Sequence, residues 1–177
     1  MEQGIAQLDG TVAALKELVE KPAPDLAPQF KAFSKNLTQL ESTAQDVAAL
    51  AGKIDTKSQD YFATWDQQIA AVQNENIRER STERRQAVSA SFKKLQSEYA
   101  GVREVFKPLL SDLRDIRTVL DADLTVDGLK SIKGTVKDVA GENDSVKKSL
   151  QGLAGGFRGL GVKLSRSGPP SEMAPKK

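Results

Sequence analysis

Two side chains that dominate catalytic and metal chemistry are missing: the chain has no cysteine and no histidine. That excludes disulfides, thiol nucleophiles, Cys/His zinc sites and imidazole general bases. Only carboxylates, Lys, Tyr, Ser and Thr remain for chemistry, so no catalytic residue, metal site or cofactor is expected. Aromatic residues are scarce at 5 %, which argues against a sheet protein. No apolar run approaches the roughly 18 residues of a membrane span. Met1-Glu2-Gln3 leads straight into a helical pattern without an export signal. The expectation is therefore a cytosolic protein or one whose export segment has been removed.

Charge is nearly balanced overall, at +2, but unevenly placed. Residues 1–76 hold 6 basic and 11 acidic groups, and residues 77–177 hold 20 and 13. The halves attract each other, which favours packing within one chain. A nucleic-acid binder would concentrate base more strongly, with aromatics or a known motif beside it, so no nucleic acid is expected as partner.

What the chain does have is periodicity. Val88, Phe92, Leu95, Tyr99, Val102, Phe106, Leu109, Leu113, Ile116 and Leu120 are spaced alternately by 4 and 3 residues. That unbroken heptad marks a helix whose apolar seam faces other helices. Three more seams share the spacing. They predict helices over 2–20, 26–73, 77–121 and 126–157, in a bundle spanning 1–164, with a disordered Pro-rich tail over 165–177. Pro22 and Pro24 break the first seam. Asp25 is the expected N-cap of the second helix, with Pro28 in its first turn. Asn76 with Glu79 has capping-box spacing at the start of the third helix, and Thr125 caps the fourth. Pro108 should bend the third helix. The glycines of the fourth should fray it beyond about Gly155.

Folding the seams antiparallel gives a register test, because facing residues across a tight turn keep a constant index sum. Across the turn near Glu75, Tyr61/Val88 through Phe30/Leu120 all sum to 149 or 150. The small residues Ser58, Ala51 and Ala44 then fall opposite Phe92, Tyr99 and Phe106, the large-against-small fit of a close-packed core. The fold class is all-α: an elongated antiparallel bundle of four unequal helices with left-handed, coiled-coil-like packing. Four helices meet at the end holding the Pro22–Pro24 and Asp121–Thr125 turns. Past Ile5 three remain, and near Trp65 two. The three-sided stretch could be covered by self-association or a protein partner.

Few residues stand out as interaction candidates. Arg78, Arg80, Arg84 and Arg85 make the densest charge cluster, either a helix start laced with i,i+3 pairs such as Arg80–Glu83 or a docking site for an acidic partner. Trp65 should face Arg84 or Arg85 in a cation–π contact. Asp112 and Asp115 share a helix face beside Arg114 and Arg117. They read as an ion-paired surface rather than the converging carboxylates of a glycosidase or metal site. Asn143 occupies a core position in the layer with Ala44, Phe106 and Ile5, where a polar residue fixes register. The segment from Gly152 to Arg166, with Phe157, Leu160 and Lys163, could touch a membrane surface. No small-molecule substrate is indicated.

Several motifs carry a resemblance. Tyr61-Phe62-x-x-Trp65, the Arg78/Arg80/Ser81/Glu83/Arg84/Arg85 cluster, Pro108-x-x-Ser111-Asp112-Leu113-x-Asp115-Ile116 and Asp123-Leu124-Thr125 are similar to those of an uncharacterised bacterial family of domain-of-unknown-function type. Its members are exported, often lipoprotein-like, predicted coiled-coil proteins. The resemblance spans roughly Leu8 to Leu153. It implies a periplasmic or membrane-anchored location and no known activity, although this chain shows no lipidation cysteine and its first helix is short. The reading is a non-enzymatic scaffold or interaction protein of the bacterial envelope. The competing one is a membrane-interacting bundle resembling bundle-type toxins, which would need a releasable apolar tongue at the end of the fourth helix.

Overall fold

The computed structural model describes residues 2–165, so the tail expected over 165–177 lies, apart from Ser165, outside the described residues. Four helices account for nearly all of it: α1 (Glu2–Glu20), α2 (Ala27–Ala70), α3 (Glu75–Ala122) and α4 (Val126–Leu164). At 1.5 Å per residue, α3 is about 70 Å long and α1 under half that.

Local chemistry sets the ends. The Thr125 hydroxyl accepts from Gly128 N at 3.1 Å and donates to Asp123 Oδ1 at 2.8 Å, opening α4 as the spacing indicates. Gly128 is required there, since a β-carbon would sit 2.1 Å from the Asp123 carbonyl oxygen. Asp25 Oδ1 accepts from Ala27 N at 3.0 Å, two residues on, while the N-cap position itself belongs to Leu26. That corrects the expected cap of the second helix, and two further expectations need correction. The cap of α3 is Asn74, whose Oδ1 accepts from Ile77 N at 3.1 Å, and not Asn76. The helix therefore starts at Glu75, and the turn is only Ala71 to Asn74. α4 does not fray at Gly155 but runs to Leu164. Leu153 and Leu160 are buried against Val88 and Leu95. Gly156 lets α4 approach closely, as a β-carbon there would lie 2.5 Å from Leu95 Cδ2. Arg84 Nη2 donates to Lys163 O at 2.9 Å, giving one end carbonyl a partner. Three helices, not two, thus reach the tip near Trp65.

The helices form an up-and-down ring. α1 packs on α2 and α4, and α3 packs on α2 and α4, while the diagonal pairs stay apart. At the two-loop end all four share one core of Leu8, Val12, Leu15 and Leu18 with Phe33, Leu37, Leu109, Leu113, Leu120, Val136 and Val139. A second, smaller core of Val88, Leu95, Val102, Leu153 and Leu160 joins α3 to α4 further along. Its edge is dressed by Phe62, Trp65, Phe92 and Phe157. α3 continues through Pro108, and Leu109 just beyond it is fully buried.

Candidate functional site

The central feature lies between these two cores. The stripe of α2 that faces α1 is fixed by Asn36 Nδ2, which donates to Gly10 O at 3.2 Å, and by Thr43 Oγ1, which donates to Gln7 Oε1 at 2.8 Å. Gly4 lies beside Thr43, so α1 ends at that level. The same α2 stripe carries on through Val47, Leu50 and Ile54, and among the described residues no fourth helix covers it. Val47 is 42 % and Leu50 56 % exposed. The facing stripe of α4 likewise passes Asn143 and Lys147, which meet α1, and continues to Leu150 and Phe157.

The vacated place of the fourth helix is a groove of about 400 Å³. Leu95, Tyr99, Val102 and Phe106 of α3 also line it, with Gln3, Gly4 and Leu8 of α1 at one end. Its few polar liners include Gln96 and Asp55, which bond to each other, and Arg103. Arg103 is exposed and makes no hydrogen bond or ion pair among the described residues.

This corrects the expected close packing of Ala44 on Phe106 and Ala51 on Tyr99. All four residues line the groove instead, and no α2 residue from Ala44 to Gln68 is fully buried. The physical reason is the missing wall. A pair of helices closes its seam fully only when flanking helices exclude water from it, and among the described residues α1 reaches only the level of Thr43.

The residues singled out from the sequence are dispersed. Trp65 donates its indole N–H to Ser81 Oγ at 3.4 Å and meets Tyr61 edge-on, with ring centroids 5.6 Å apart. The cation–π contact falls on Phe62 instead, whose ring centroid is 4.9 Å from Arg85 Cζ. Arg85 also pairs with Asp66 at 2.7 Å, so it is a structural tie between α2 and α3. Arg84 caps α4, Arg78 pairs loosely with Glu75 at 3.6 Å, and the expected Arg80–Glu83 pair does not form. Asp112 and Asp115 do not bond to their neighbouring arginines. Arg114 and Arg117 both reach across to Glu41 of α2, at 2.5 and 3.4 Å. Burial would push the Glu41 carboxyl up, but the two guanidinium groups outweigh it and hold it below its ordinary value. Asp112 stands near Glu142, whose carboxyl is pushed up by burial first, then by Asp112 and Asp138.

Sequence reasoning missed one constellation. Asn143, 8 % exposed as its seam position indicates, donates from Nδ2 to Asp9 Oδ1 at 3.0 Å. Lys147 Nζ meets Asp9 Oδ2 at 2.9 Å. Burial acts to raise the Asp9 carboxyl, yet these two donors together keep it below its ordinary value. Asp9 flanks the seam residue Leu8, about one turn from the Ile5 level at which the register places Asn143, so the heptad pattern does not pair the two. Among the described residues no group of three or more carboxylates is placed to hold a metal ion, and no helix is long and apolar enough to cross a membrane.

A single-chain, all-α, up-and-down bundle with a strip of its core laid open is the class these features define. By family, the chain belongs to the proteins of unknown function designated DUF2959, whose model matches residues 2–152. That match covers all of α1 to α3 and α4 as far as Gly152. No curated protein and no solved structure matches the chain.

Proposed function

We propose that this protein is a non-enzymatic binding and scaffold module of the bacterial cell envelope, with the groove as its working surface. The observation that carries the reading is the exposure of Val47 and Leu50 on a continuous apolar strip otherwise lined by core-type residues. A monomer seldom leaves a contiguous apolar patch uncovered unless something binds it. The concave, apolar lining with a few polar groups at its margin is that of a binding cleft, and the volume is in the usual range for one. A protein partner or a second copy would bind through the same surface. The envelope setting, periplasmic or lipoprotein-like, rests on the family resemblance of the Tyr61–Trp65, Arg78–Arg85 and Pro108–Ile116 motifs.

A neutral apolar fluorophore tests the binding reading. One molecule per chain should bind with enhanced emission. Leu50→Glu should weaken that binding by about tenfold, roughly the worth of one buried aliphatic side chain. Leu50 is exposed, so thermal melting should be unchanged. Absence of saturable binding would remove the reading. Fractionation of cells expressing the native gene tests the location, and recovery with cytosolic markers alone would remove the envelope part.

A further inference from the structure

We propose a second working surface, independent of the groove: the side of the bundle formed by α3 and α4, in the halves remote from the two-loop end, lies flat on an anionic lipid bilayer. The observation is a concentration of charge that the whole-chain balance of +2 conceals. Residues 84–103 of α3 hold five cations and one carboxylate, and residues 145–165 of α4 hold four and none. The fold sets these stretches side by side, with Arg84 bonded to Lys163 O and Gly156 against Leu95. Three of the nine cations are turned elsewhere: Arg85 pairs with Asp66, Lys147 pairs with Asp9, and Arg103 lines the groove. The other six, Arg84, Lys93, Lys94, Lys148, Arg158 and Lys163, are exposed. Glu98, the one carboxylate, is half-buried and meets Lys94 at 3.7 Å. Arg84 and Lys163 bond to neutral oxygens, so their charges stay uncancelled. Exposed Glu83 bounds the face at one end, and Glu104 and Asp144 bound it at the other.

Shape separates a bilayer from other polyanions. From Arg84 to the level of Lys148 the face runs about 24 Å at 1.5 Å per residue, across two helices about 8–10 Å apart. Between the cations stand Ala87, Ala90 and Ala100 of α3 and Gly152, Gly155 and Gly159 of α4, all exposed, and the glycines have open space before them. The ground between the cations is therefore low, and six long side chains can reach one plane, as a layer of lipid phosphates requires. Nucleic acid asks for a ridge that enters a groove, or for aromatic faces on which bases stack. The aromatic residues of this stretch, Phe92, Tyr99 and Phe157, instead pack on the second core. Val162, 64 % exposed and one turn from Arg158, offers an aliphatic contact to the acyl boundary that a nucleic acid would not use.

The test is flotation of the full chain with large vesicles of phosphatidylcholine, alone or with about 30 % phosphatidylglycerol. Binding should need the anionic lipid and should fall at least about tenfold between roughly 50 and 200 mM salt, because exposed charges are screened. Lys148→Gln with Arg158→Gln should weaken it about twentyfold, near fivefold per cation. Lys31→Gln with Lys35→Gln makes the same change in net charge on exposed α2 positions and should leave binding within about twofold. All four replaced side chains are exposed, so circular dichroism should show an unchanged fold. The chain has no cysteine, so single labels are possible. A fluorophore at Gly155→Cys should be quenched by headgroup-labelled lipid, and one at Thr38→Cys on α2 should not. No binding to anionic vesicles, equal binding to neutral ones, equal effects of the two double variants or equal quenching at the two labels would overturn the proposal. So would displacement from the vesicles by a short DNA duplex at equal phosphate concentration, since the face would then take a nucleic-acid backbone.

Discussion

At the residue scale, charged groups between helices give the bundle a defined pH response. Asp9 and Glu41 have folded-state pKa values below those of the unfolded chain. Their stabilisation is therefore present above the ordinary carboxylate range and is lost as pH falls through the lowered folded values. Glu142 is opposite in sign: its raised folded pKa destabilises the fold at neutral pH, and protonation relieves this. Glu41→Gln should lower the melting temperature at pH 7 by about 2–4 °C, the worth of one charged hydrogen bond in a chain of this size. Glu142→Gln should raise it by about 1–3 °C. Scanning calorimetry from pH 7 down to about pH 3, below the ordinary carboxylate pKa values, should show both differences shrinking. A Glu142→Gln effect independent of pH would refute the electrostatic account.

These ion pairs show where sequence reading stops. Asn143 was legible as a buried polar residue because it replaces an apolar one in a heptad. Its partner Asp9, 134 residues away, was not, because periodicity reports which face is buried and not which flanking charge leans toward it. Arg114 and Arg117 show the same limit. Their closest carboxylates in sequence are Asp112 and Asp115, but both arginines bond to Glu41, which the α2–α3 register brings alongside.

At the element scale, glycines of identical helix propensity play different parts. Gly155 has open space around its α-carbon, whereas Gly128 lies against the Asp123 carbonyl. Gly155→Ala should stabilise by about 0.5–1 kcal/mol through helix propensity alone. Gly128→Ala should destabilise by about 1–3 kcal/mol, since the obstructing atom is backbone and cannot rotate away. Urea melts distinguish the two, and equal effects would refute the reading. The same distinction explains why α4 outlasts its expected end. Counting glycines registers the lost propensity, but not the burial of Leu153 and Leu160 or the hydrogen bond from Arg84 to Lys163 O.

At the scale of the whole molecule, the helix order, antiparallel pairing and shared seam were all legible, because a heptad fixes both the buried face and the register. The three-sided stretch beyond α1 was legible as well. Its opening into a groove was not, since pairing Ala44 with Phe106 and Ala51 with Tyr99 suggests a filled interior. The pattern records which residues could meet, and whether they close depends on the wall that α1 does not supply. Amide exchange should follow that wall. In α2, amides from Phe33 to Leu40 should exchange slowest, and those from Ala44 to Trp65 at least about tenfold faster. Uniform protection along α2 would contradict the open structure.

The halt of α1 beside Thr43 has a mechanical corollary. Among the described residues four helices share a bending load on one side of that level and three on the other, so the rod should flex most where the count changes.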